Sequence, residues 1–315
     1  MIPRCRLLLL AALVAGLAPA RADDAKTLEL KPKWKKGDAV RYDMTRTQVR
    51  ESDAKVVRKV TTHTPVEIEV IEADPDGSVV RWAQGTTTFD DPKLDDDPTV
   101  RAINAIFKNM DIDLDLDANG TYEGLRNWKE LRNTGHKVQD AVLAQMSKTG
   151  TSKATVDYLR KETDKFFASK ETVEATFSKQ AALLVIPFGN KFELGKTVEY
   201  ETQLPNVLGG DEPFPAKGTY LLKAIDKDAN TATLVYKQTP DPKELNRVLR
   251  KFFDDLATKT GKPAPKDLPE LDLTDTMEYE FDLASGWVKS VTHTRVAKQP
   301  ASTQTETTTL TRKGK

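Results

Sequence analysis

Sulfur and imidazole are scarce in this chain. Its 315 residues include one cysteine, Cys5, and three histidines, His63, His136 and His293. A lone cysteine excludes a disulfide scaffold and a zinc ribbon. The histidines lie far apart, and none has metal-ligand spacing to another. Four catalytic or cofactor signatures are missing as well: the G-x-S-x-G elbow, H-E-x-x-H, a phosphate loop and a dinucleotide fingerprint. No cofactor and no metal centre is therefore expected. An excess of one charge is also lacking, since 48 Lys and Arg balance 48 Asp and Glu. That balance argues against a nucleic-acid partner, because binding phosphates needs a surplus of cations.

Long apolar runs are confined to the start. Arg4 and Arg6 precede an apolar run from Leu7 to Leu17, and Ala20-Arg21-Ala22 follows as an A-x-A cleavage pattern. This is the layout of a secretory signal peptide, too short in its apolar part to span a bilayer. Residues 1–22 are read as that signal, with the protein periplasmic or secreted. Cleavage after Ala22 removes three arginines, Cys5 and no acid, so the remainder carries a net charge of −3. No transmembrane segment is expected after it.

One pattern occurs twice. Trp34-Lys35-Lys36-Gly37-Asp38-Ala39-Val40-Arg41-Tyr42 matches Phe192 to Tyr200 in its aromatic, Gly, Val and Tyr. Ile71 to Trp82 matches Ile225 to Tyr236, Asp97-Pro98 matches Asp241-Pro242, and Asp117 to Gly120 matches Asp282 to Gly286. Similarity in a fixed order at a long period marks a duplicated unit, and independent use of the same turn chemistry is the alternative. The expected organisation is a first β-rich unit (23–126), a helical connector (127–187) and a second β-rich unit (188–315).

Strand and helix periods support an α+β class, with two related antiparallel β-rich units and covering helices. Val60, Thr62, Thr64, Val66, Ile68 and Val70 alternate with polar residues, which predicts a long half-buried strand. Pro65 within it predicts an edge position or a bulge. Thr303, Thr305, Thr307 and Thr309 suit the solvated face of a strand, with a low-complexity stalk as the alternative. Asp97-Pro98 and Asp241-Pro242 each open a helical pattern. Gly261 is expected to end the second of these, followed by a proline-rich loop to Pro269. The strands form either two curved sheets or one continuous sheet.

Two local features invite a chemical reading. Asp115, Asp117, Asn119 and Gly120 match the early positions of a calcium loop, but Arg126 stands where a bidentate Glu is needed. The same acids alternate with Ile and Leu before Asn119-Gly120, which reads as a hairpin. Trp34, Tyr42, Trp82, Phe192, Tyr200, Tyr236 and Trp287 recur at corresponding places. They are the candidate lining of a groove for an apolar ligand, and core packing is their other role.

The order of export signal, Trp-x-x-Gly-x-x-Val-x-Tyr, long Thr-rich strands, helical middle and Pro187 with Gly195 resembles uncharacterised secreted bacterial β-rich families. In outline it is also similar to periplasmic lipoprotein-carrier and lipid-binding half-barrels. That likeness implies a sheet that shelters a lipid and transfers no binding residue. The expected function is a non-catalytic exported envelope protein that binds an apolar ligand or a protein partner. A metal- or carboxylate-dependent hydrolase of envelope polymers, using Asp115, Asp117 or His63, is the alternative.

Overall fold

A computed structural model describes residues 27–108, 110–204, 214–260, 268 and 270–314. The expected signal peptide, Gly261 and most of the loop to Pro269 lie outside the described residues. In chain order the strands of the first part are β1 (Thr27–Glu29), β2 (Ala39–Ser52), β3 (Lys55–Asp74), β4 (Gly77–Gln84) and β5 (Thr88–Phe89). Helices α1 (Pro92–Asp95) and α2 (Pro98–Phe107) precede β6 (Asp111–Asp117) and β7 (Tyr122–Leu125). The middle holds α3 (Trp128–Lys148), α4 (Lys153–Asp164), α5 (Lys170–Phe177) and α6 (Lys179–Ala182). The last part runs β8 (Lys191–Glu193), β9 (Thr197–Leu204), β10 (Phe214–Asp226), β11 (Thr231–Pro240), α7 (Pro242–Thr260), β12 (Asp272–Asp282), β13 (Val288–Gln299) and β14 (Ser302–Arg312).

The class is α+β, and the long strands form one continuous antiparallel sheet. Its order is β7-β6-β4-β3-β2-β14-β13-β12-β11-β10-β9, with β5 beside β3 and a separate β1-β8 pair. Each half is a meander of sequential neighbours. The join lies at the centre, where β14 pairs with β2 over Ser302↔Ser52 to Arg312↔Tyr42. The Thr-rich tail is thus an interior strand. Equivalent cross-strand rows occur in the two halves: Val40–Ile68–Trp82–Ile112 and Val198–Tyr220–Tyr236–Met277.

One face of the sheet is covered and the other is solvated, as the alternation predicts. Along β3, Val66, Ile68 and Val70 are buried while Pro65, Glu67 and Glu69 are exposed. Tyr42, Trp82, Leu114, Leu234, Tyr279 and Leu310 share the buried face, where Leu131, Val173, Phe177 and Phe188 from the middle segment meet them in one core. Pro65 departs from expectation, because β3 is flanked on both sides and no bulge falls at that residue. In an antiparallel ladder the N and O of a residue face the same neighbour. The Pro65 carbonyl accepts from Gly85 N, one residue beyond the end of β4, so its missing N–H falls where that ladder stops.

The helices start where their caps predict. Asp97 Oδ1 accepts from Thr99 N and Val100 N, and Asp241 Oδ1 accepts from Lys243 N and Glu244 N. Helix α5 also protects an edge of the sheet: its Glu174 accepts the Leu125 N–H of β7 at 2.7 Å. A filled donor on an edge strand blunts unwanted pairing.

Candidate functional site

One opening on the covered face lies between the sheet and α2, a cavity of about 500 Å³. Met44, Val60 and Ile112 supply its apolar floor, Val100, Ile103 and Phe107 its roof, and Phe177 an end wall. It exists because α2 covers the sheet loosely. Its apolar stripe follows helical spacing, yet no residue of α2 is fully buried. The helix is held by its Asp97 cap and by Asn104 Nδ2, which donates to the Thr87 carbonyl at 2.8 Å. Thr62, Thr64, Gln48, Arg46 and Arg58 add polar wall, and among the described residues none of the lining is Asp, Glu, His or Lys. The volume falls within the roughly 300–1,000 Å³ usual for small-ligand sites. Two other cavities lie along β9–β11 and carry mixed charge, including Glu201 and Lys217.

Beside the cavity the covered face turns polar. Asp275 is buried and receives both Arg295 Nε and Nη2, at 2.8 and 2.9 Å. His293 Nε2 lies 2.7 Å from the same carboxylate. On the next strand Glu306 accepts from Arg46 Nη2 at 2.7 Å and from Gln48 Nε2 at 2.8 Å. Burial opposes the charge on Asp275, but the bonds from His293 and Arg295 outweigh it and hold the carboxyl below its ordinary range. Glu306 is likewise lowered: burial opposes its charge, and Arg46 and Gln48 prevail. Lys179 on α6 is lowered by desolvation first, then by Arg295. Sequence reading missed this network. Its signal was phase: Arg46 and Gln48 continue the buried alternation of Tyr42 and Met44.

The seven aromatics chosen from the sequence fall into three places. Trp34 stacks on Trp287 at 4.2 Å and meets Phe188 edge-on. Tyr200, Tyr220 and Tyr236 pack together, with centroids 4.8 to 5.8 Å apart, and Phe192 meets Tyr220 edge-on. Gly218 makes room for this cluster, since a Cβ there would lie 2.0 Å from the Tyr200 ring. Tyr42 and Trp82 sit fully in the core, and the Tyr42 hydroxyl donates to the Val288 carbonyl at 2.6 Å. None of the seven lines the cavity beneath α2.

The acidic candidates do not meet. Asp115 is paired with Arg126 at 2.8 Å, and Arg126 also reaches Glu72. Asp117 Oδ1 accepts from Asn119 N and Thr121 N in the turn between β6 and β7. His63 pairs with Asp90 at 2.8 Å. It lies nine residues from Glu72 along β3, about 30 Å of strand. Among the described residues no group of three His, Cys, Asp or Glu is placed to hold a metal ion, and no helix is long and apolar enough to cross a membrane.

No family model and no curated protein matches the chain. Among solved structures, it is similar to one described as lipid-protein interactions in lipovitellin, with 11% identity and a TM-score of 0.42. The match covers 90% of this chain and 26% of that one, so the chain spans about a quarter of that structure's length. A second, DynF from the dynemicin biosynthesis pathway of Micromonospora chersina, is 5% identical with a TM-score of 0.20, covering 92% of this chain and 86% of that one. At these TM-scores neither likeness decides the architecture, and the α+β class rests on the chain's own strands and helices.

Proposed function

We propose that this is an exported, non-catalytic protein that holds an apolar ligand in the cavity between α2 and the sheet. The observation that carries this reading is the cavity itself, floored and roofed by apolar side chains and closed on one side by a helix with no fully buried residue. Burying a ligand there removes from water both its own surface and what remains accessible of the half-buried stripe of α2, at about 25 cal/mol per Å². The polar lining consists of Thr, Gln, Asn and Arg, which suit orientation of a ligand better than acid–base chemistry. Export is supported by the layout of residues 1–22.

The test is a titration of the purified chain with 1-anilinonaphthalene-8-sulfonate and dodecanol, together with mass spectrometry of the protein under native conditions. Saturable binding is expected, lost in Ile103→Gln and unchanged in Val198→Gln on the distant β9. Absence of both a retained lipid and a saturable signal would overturn the reading.

A further inference from the structure

The cavity beneath α2 is electrically one-sided. Its charged lining residues are Arg46 and Arg58, and no acid faces them from the lining. Arg46 is only partly satisfied. Its Nη2 donates to Glu306, while its Nε is shut off from solvent with no hydrogen-bond partner among the described residues. Arg58 stands directly across from Arg50 on the neighbouring strand, cation beside cation. Neither of these two forms an ion pair among the described residues.

The surroundings repeat the surplus. Asp275 is taken up by Arg295 and His293, and Glu306 by Arg46 and Gln48. Lys179 lies within electrostatic reach of Arg295 and Arg46 and also of Glu306 and Asp275, and forms no ion pair among the described residues. Arg46 and Arg295 are each answered by one carboxylate, Glu306 and Asp275, whereas Arg58 and Lys179 are exposed cations with no ion pair among the described residues. Exposed cations at the rim of an apolar cavity that presents no acid attract an incoming anion. Guanidinium groups suit carboxylate and phosphate oxygens in particular, through directed and bidentate hydrogen bonds.

We infer that Arg46 and Arg58 bind the anionic head, carboxylate or phosphate, of an acyl-chain ligand whose chain lies along Ile103, Phe107, Ile112 and Phe177. The inference deepens the apolar-ligand reading and rests on it. The chain supplies burial under α2. The head supplies direction, placing its oxygens against the guanidinium groups of Arg46 and Arg58 that line the cavity.

The experiment is calorimetric titration of the full chain with dodecanoate, dodecyl phosphate, dodecanol and inorganic phosphate, each below its aggregation threshold. Both anionic amphiphiles are expected to bind at least tenfold more tightly than dodecanol, with no heat from inorganic phosphate alone. The tighter of the two identifies the head chemistry, and either order supports the inference. Arg46→Met and Arg58→Met should each weaken the anions toward the dodecanol value, by a factor well above any change in dodecanol affinity. Arg58→Met is the safer variant, since Arg58 is exposed and in no ion pair among the described residues, whereas Arg46→Met leaves Glu306 short of a partner. Equal affinity for all three amphiphiles, or loss of dodecanol binding in step with the anions, overturns the anionic head. The first of these leaves the apolar-ligand reading intact. Failure of every amphiphile to bind overturns both readings. Inorganic phosphate binding as tightly as dodecyl phosphate also overturns both, because the chain then contributes nothing.

Discussion

Asp275 illustrates how a single carboxylate is kept charged on the covered face of a sheet. It loses hydration there and recovers it through two Arg295 nitrogens and His293. Asp275→Asn leaves a guanidinium with a poorer partner and should cost about 3 kcal/mol, read from urea unfolding. The same group sets a pH dependence. Asp275 and Glu306 both titrate lower in the folded chain than their ordinary values of 3.8 and 4.5. As acid is added the unfolded chain binds protons first, so their stabilisation is complete above about pH 5 and is lost as pH falls through the lowered values. Stability measured from pH 6 to pH 3 should fall, and fall less steeply in Asp275→Asn. A different residue carries backbone strain. Asp53 and Ala54, at φ of 50° and 60°, form the two-residue turn between β2 and β3. Such turns favour Asn-Gly or Asp-Gly. Ala54→Gly relieves about 1–2 kcal/mol of left-handed strain and returns under about 1 kcal/mol through unfolded-chain entropy. A net gain of about 0.5–1 kcal/mol is expected in the unfolding free energy.

At the scale of elements, α2 and α3 differ in how they pack. Leu131 of α3 is 1% exposed inside the core, whereas Ile103 of α2 is only half-buried above the cavity. Truncating a filled site costs the transfer energy plus a new hole, while truncating one that borders an existing space leaves little further void. Leu131→Ala should therefore cost about 3 kcal/mol and Ile103→Ala less than about 1 kcal/mol in matched urea titrations. Equal losses would mean that α2 packs as tightly as α3. The turns matched in sequence also behave alike. Asp117 and Asp282 each accept two backbone N–H groups of their own turn. Asp282 additionally binds Arg312 of β14 at 2.8 Å. Burial opposes its charge, and Arg312 with the turn donors brings the carboxyl down to about 2.

For the molecule as a whole, the decisive contact is the pairing of the last strand with the first long one. β14 stands between β2 and β13, so both meanders depend on it for a neighbour. Calorimetry should give one unfolding transition for the described chain. Ending the chain after Pro300 should abolish it, leaving β2 and β13 with unpaired ladders and an open core. A surviving half with its own transition would show that the two meanders fold independently. The cavity belongs to this scale too, because its floor comes from β2, β3 and β6 and its roof from α2.

The sequence by itself determined the local elements. Period-two alternation placed β3, Asp-Pro pairs placed α2 and α7, and Asn119-Gly120 placed a hairpin, since each of these signals acts over a few neighbouring residues. It also matched Trp82 with Tyr236, which hold equivalent places in the two cross-strand rows. Only the tertiary structure decided that the strands form one sheet, that Pro65 sits beyond the end of a ladder, and that α2 stands off from its floor. It alone brought Arg46 to Glu306 across 260 residues of chain. Pairing between distant strands leaves no local mark, because any half-buried strand offers the same backbone donors and acceptors to every possible neighbour.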